Sequence, residues 1–87
     1  MQSLVIKRSI VIDGHNTSIT LEDEFWTCLR KIAEERRETL SQLVSGIDAS
    51  RQVKNLSSAI RVFIFEFYKD RFERQARISE ESKVAAQ

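Results

Sequence analysis

The chain has no proline, only two glycines, one cysteine and one histidine among its 87 residues. Without proline nothing forces a helix to break, so long helices are allowed throughout. A lone cysteine, Cys28, excludes an intrachain disulfide and a four-cysteine zinc site, and it suits a reducing compartment. The longest wholly apolar stretches, such as residues 62–65, fall far short of the ~20 residues that a membrane span needs. Residues 1–6 run into Lys7-Arg8-Ser9, not into the apolar core of ~7–15 residues that a secretory signal carries. The expectation is a cytoplasmic protein without membrane contact.

Catalytic patterns are missing as well. The sequence shows no paired acid and base, no nucleophile beside a base and no glycine-rich phosphate loop. His15 has no metal-type ligands near it, and Cys28 reads as a small half-buried helix residue. The chain is therefore expected to be no enzyme and to hold no metal or cofactor.

What is present fits one small helix-rich domain. A content of 41% hydrophobic and 31% charged residues excludes a disordered polymer, while the length allows only a small core that dimerisation would enlarge. The net charge is +1, and its distribution is uneven: residues 22–38 hold six acids against four bases, residues 51–77 seven bases against three acids.

Residues 4–12, LVIKRSIVI, are rich in β-branched types and read as a strand, and Asp13-Gly14 is a two-residue hairpin signal. A tight turn there pairs Ile12 with His15, Ile10 with Thr17 and Ser9 with Ser18. It also puts Lys7 and Ser9 on the face of Ser18 and Thr20. The same signal is compatible with a looser, separate arm. In the second strand Thr17, Ile19 and Leu21 can enter a core, and Asn16, Ser18 and Thr20 point the other way.

A first helix begins near Glu22, with Thr20 and Asp23 resembling a capping box and with Phe25, Trp26, Leu29, Ile32 and Ala33 as its apolar stripe. Thr39 caps a second helix, whose stripe is Leu40, Leu43, Val44 and Ile47. The polar segment 48–54 reads as a break, and Asn55 caps a last helix. Apolar residues from Ala59 to Tyr68 surround that helix almost completely, which calls for cover that one copy of so small a fold does not supply. An intertwined homodimer follows as the expectation. Residues 1–72 are read as the domain and 73–87 as a frayed helical end and a loose tail.

The stretches TSITLEDEFW and NLSSAIRVF resemble the ribbon-helix-helix DNA-binding proteins, over about residues 8–68. The resemblance implies a mostly α fold with a short N-terminal β-ribbon, here with an extra C-terminal helix, in which two chains pair their strands antiparallel. It implies a sequence-specific regulator of transcription, a repressor that reads double-stranded DNA. Members of this group insert strands into a groove. Carried onto this chain, the base-reading positions are Asn16, Ser18 and Thr20. Asn16 is the strongest, since an amide can pair with adenine N6 and N7.

Phosphate contacts fall to the start of the second helix, at Thr39, Leu40 and Ser41, with Lys7, Arg8 and His15 at the rim. The dimer core would comprise Ile19, Leu21, Trp26, Leu29, Ile60, Phe63, Ile64 and Phe67. Three departures stand out: the reading strand carries no Arg or Lys, the usual turn glycine is Arg37, and DASRQVK separates the last helix from the second. The rival reading is a protein-interaction or antitoxin-like dimer whose surface and tail bind a partner protein.

Overall fold

The structure, a computed structural model, describes residues 4–85, with side chains described as far as residue 79. Two antiparallel strands, β1 (Val5–Ile12) and β2 (His15–Glu22), are followed by three helices: α1 (Asp23–Arg36), α2 (Leu40–Ser50) and α3 (Leu56–Ala85). The mostly helical fold with an N-terminal ribbon and an extra C-terminal helix is thus as the sequence implies.

The hairpin closes locally. Asp13 and Gly14 have φ of 50° and 80°, the pair of positive values that a two-residue turn of matching twist requires. Register runs from Ile12↔His15 through Ser9↔Ser18 to Val5↔Glu22, so β1 stays paired along its whole length and forms no separate arm. Within the chain β1 covers one edge of β2, and the other edge carries no strand among the described residues. Two residues of loop cost little closure entropy, and the alternation of the two strands already matches.

The inner face of the ribbon packs on the helices. Ile10, Ile12, Ile19 and Leu21 are buried there beside Trp26, Leu29 and Ile32 of α1, Leu43, Val44 and Ile47 of α2, and Ile60 and Ile64 of α3. Trp26 is fully buried, and its indole N–H donates to the carbonyl of Ile6 at 2.9 Å, which bolts α1 beneath β1.

The ends of the helices differ from one another. At α1 the expected cap from Thr20 does not form, because β2 continues in extended conformation to Glu22 and leaves Thr20 facing outward opposite Lys7. The N–H of Asp23 instead donates to the carbonyl of Leu4 at 2.7 Å. Arg37 ends α1 in the left-handed region, φ 55°, while its own N–H and that of Glu38 close back on Glu34 and Ala33. This is the conformation for which glycine is the usual residue.

The expected caps of the other two helices form. Thr39 Oγ1 accepts from the N–H of Gln42, whose side chain accepts the Thr39 N–H in return, and Asn55 Oδ1 accepts from the N–H of Ser58. α3 continues to Ala85, so the helical end expected after residue 72 extends over most of that segment; residues 86 and 87 lie outside the described residues.

Candidate nucleic-acid interface

The alternation that buries one side of the hairpin exposes the other. Asn16, Ser18 and Thr20 all point to solvent from β2, and their β1 partners across the ladder are Val11, Ser9 and Lys7, exposed too. The structure therefore brings the three candidate base-reading residues into one row and adds a second row beside it. That second row was legible in the turn signal, because fixing the register at Asp13-Gly14 fixes what stands opposite Asn16. Val11, half exposed at 50%, is the member that a search for polar residues passes over.

The other basic and polar candidates are dispersed. Arg8 belongs to the opposite parity of β1, and its guanidinium lies over the Trp26 ring at 5.7 Å, where cation–π attraction holds it on the helix side. His15 is exposed beside the turn. At the start of α2, both the N–H and the hydroxyl oxygen of Thr39 are committed to Gln42. The N–H groups of Leu40 and Ser41 remain, since the first turn of a helix has no internal acceptor for them. An anion at this helix end would meet those two donors.

A family profile described as "Ribbon-helix-helix domain" matches residues 5–68, from the first strand into the middle of α3. The chain belongs to the ribbon-helix-helix family. No curated protein and no solved structure matches it. Ribbon-helix-helix domains are a non-enzymatic fold, typical of DNA-binding regulators of transcription and of antitoxins, and the family pattern is dimeric.

Within this ribbon-helix-helix chain, the residues expected to form a dimer core divide into two groups. Ile19, Leu21, Trp26, Leu29, Ile60 and Ile64 are buried by the single chain, whereas Phe63 and Phe67 are only partly covered. The exposed apolar surface of α3 is a different strip: Val62, Phe65 and Phe72 are 53%, 65% and 71% exposed, next to Phe25 and Tyr68. Sequence periodicity missed this division because it counts apolar positions around a helix and cannot say which of them the ribbon, α1 and α2 already cover.

Among the described residues, four of the seven bases between positions 51 and 77 are paired with acids. Arg51 pairs with Asp48, Arg61 with Glu22, Lys69 with Glu73 and Arg71 with Glu35, at 2.8, 2.9, 3.9 and 2.7 Å. The Arg61 pair has a structural effect: it ties the end of β2 to α3. The Glu22 carboxyl is held below the usual carboxylate value, chiefly by a hydrogen bond from its own backbone N–H and then by Arg61. Tyr68 is shifted upward, first by burial and then by the Cys28 thiol beside it. Among the described residues no group of three or more His, Cys, Asp or Glu stands together as a metal site, and no helix is long and apolar enough to cross a membrane.

Proposed function

We propose that the protein is a sequence-specific DNA-binding regulator of transcription, a cytoplasmic homodimer that represses by occupying an operator. The observation that carries this reading is the outer ribbon face. A row of short hydrogen-bonding side chains, Asn16, Ser18 and Thr20, stands free on a two-stranded element whose other side is locked into the core. Rigidity on one side and small polar groups on the other are what readout of base edges needs, and a two-stranded ribbon fits the major groove. Asn16 would pair with adenine, and Ser18 and Thr20 would accept from or donate to the neighbouring bases. The Leu40 and Ser41 N–H groups, with Lys7 and His15 at the margins, would hold phosphates and set the register.

The test is salt-titrated binding of the full chain to duplex DNA from its own upstream region, with mass measured by light scattering in the same buffer. The reading expects a two-copy complex whose log affinity falls with log salt by about 0.9 per neutralised phosphate. Affinity that ignores both salt and sequence would contradict it.

A second reading, an antitoxin-like module that binds a partner protein, is favoured by the exposed strip of Val62, Phe65 and Phe72 on α3. A contiguous apolar surface of this kind marks an interaction site in soluble proteins. In that case, substitution of the strip abolishes partner binding and leaves any DNA binding of the ribbon in place.

A further inference from the structure

The last helix carries two apolar faces, and the chain itself covers only one of them. Ala59, Ile60 and Ile64 are buried against the rest of the fold, with Phe63 and Phe67 packed at their edge. At 3.6 residues per turn, Val62, Phe65 and Phe72 stand about 160° round the helix axis from that face. They are 53%, 65% and 71% exposed. With Lys69 they fall at intervals of three, four and three residues, the spacing of a seam that receives another helix.

The strip lies on the side of the molecule where the ribbon is open. α3 packs against β2, and α2 against β1. β1 occupies one edge of β2, and the other edge carries no strand among the described residues. Arg61, next to Val62, pairs with Glu22 at the end of β2 at 2.9 Å and lies over the Phe25 ring at 5.9 Å. The strip therefore begins at the end of the open strand, and one partner can touch both.

Area and charge select a second copy as that partner. At about 200 Å² for a whole phenylalanine, the uncovered parts of Phe65 and Phe72 come to roughly 270 Å² per chain. A stable interface takes about 800 Å² from each side, so the strip is too small to hold a partner alone and needs the strand edge beside it. The family pattern is dimeric, with strands of two chains paired, so the same edge of another copy is the ready complement of that strand. Lys69 sits within the strip, with the exposed Glu66 and Glu73 one turn to either side along its margin. A two-fold interface sets this group against itself, so each Lys69 is offered the carboxylates of the other copy.

We infer that the exposed strip of α3 is the second half of the dimer contact: α3 of one copy packs along α3 of the other through Val62, Phe65, Lys69 and Phe72, on the same side as the paired ribbons. The inference rests on the homodimer of the reading above and adds to it the C-terminal helix, which the ribbon contact does not require. Ile60 and Ile64 then serve the core of each chain, and Val62, Phe65 and Phe72 join the two chains.

The experiment is sedimentation equilibrium of the full chain over a concentration series, without DNA, on the wild type, Phe65→Ser, Phe72→Ser and a control, Val53→Ser, which removes an exposed apolar residue outside α3. Circular dichroism checks that each variant keeps its helix content. Phe65→Ser and Phe72→Ser should each raise the dimer dissociation constant by about 30-fold or more, as truncation of a central aromatic anchor does, and Val53→Ser should leave it unchanged. On the wild type, isotope-filtered NOEs between differently labelled copies should connect the Phe65 and Phe72 rings to α3 of the other copy, a readout that stands even where a variant fails to fold. A dimer unmoved by both serine variants, or one without contacts between copies at these rings, overturns the inference: the strip is then open to a different protein, and the homodimer stands without it. A wild type that stays monomeric at every concentration removes the homodimer reading itself, and the inference with it.

Discussion

The two faces of the hairpin share one backbone and face different demands. On the inner face, Ile10, Ile12, Ile19 and Leu21 are bulky, apolar and buried. On the outer face, Lys7, Ser9, Asn16, Ser18 and Thr20 are polar, exposed and free of any packing duty. Strand alternation is what allows both sets to coexist in sixteen ladder residues. The difference teaches that the inner row fixes where the outer row stands. Chemistry on the outer row can then vary without loss of the fold.

The sharpest way to break this division is to exchange the sensitivity of the two faces. Ile19→Ala opens a cavity under the ribbon and should cost about 2–5 kcal/mol of unfolding free energy, measured by denaturant titration. Asn16→Ala, three residues away on the other face, should leave that free energy within about 0.5 kcal/mol and yet remove about 1–3 kcal/mol of base discrimination in a binding assay. If Asn16→Ala unfolds the protein, the outer face has a structural task and the comparison collapses.

Arg37→Gly, remote from both faces, is a control on the helix junction. A side chain in the left-handed region is strained, and glycine removes that strain at some cost in chain entropy, so the variant should melt higher, gaining roughly 0.5–1 kcal/mol. Unchanged sequence preference in this variant would keep stability and readout separate.

Glu22 sharpens the comparison at its margin, because it belongs to the outer row by parity and is nevertheless tied to Arg61 at 2.9 Å. Its carboxyl is held below the ordinary value, so the stabilisation it gives is fully present above that value and is lost as the pH falls through the lowered one. Melting temperature followed into the acid range should therefore decline less in Glu22→Gln than in the wild type. A wild type and variant with parallel acid limbs would show that the ion pair has no part in stability.

Local signals were the legible part of the fold. Asp13-Gly14 gave the register because both positions tolerate positive φ, and Thr39 and Asn55 gave two helix starts because their side chains can replace a backbone acceptor. Thr20 misled for a related reason. A threonine three residues before an acid has the spacing of a capping box, but the ladder with β1 keeps it extended past the point where a cap would form.

The candidate base-reading row was legible as an alternation, and its second row as a consequence of register. Non-local cover was not legible. Nothing in the spacing of Ile60, Phe63, Ile64 and Phe65 says that Ile60 and Ile64 are buried against the ribbon, α1 and α2 while Phe65 stays 65% exposed. Likewise the excess of bases in residues 51–77 does not reveal in one dimension that Arg51, Arg61, Lys69 and Arg71 pair with Asp48, Glu22, Glu73 and Glu35.

The most direct measurement is an amide chemical-shift titration of the full chain with duplex DNA carrying its upstream sequence. The account predicts that the largest changes fall on Lys7, Ser9, Asn16, Ser18 and Thr20 and at the start of α2, with the inner-face residues and α3 nearly still. Changes confined to Val62, Phe65 and Phe72, or spread evenly along the helices while the ribbon stays unperturbed, would contradict it.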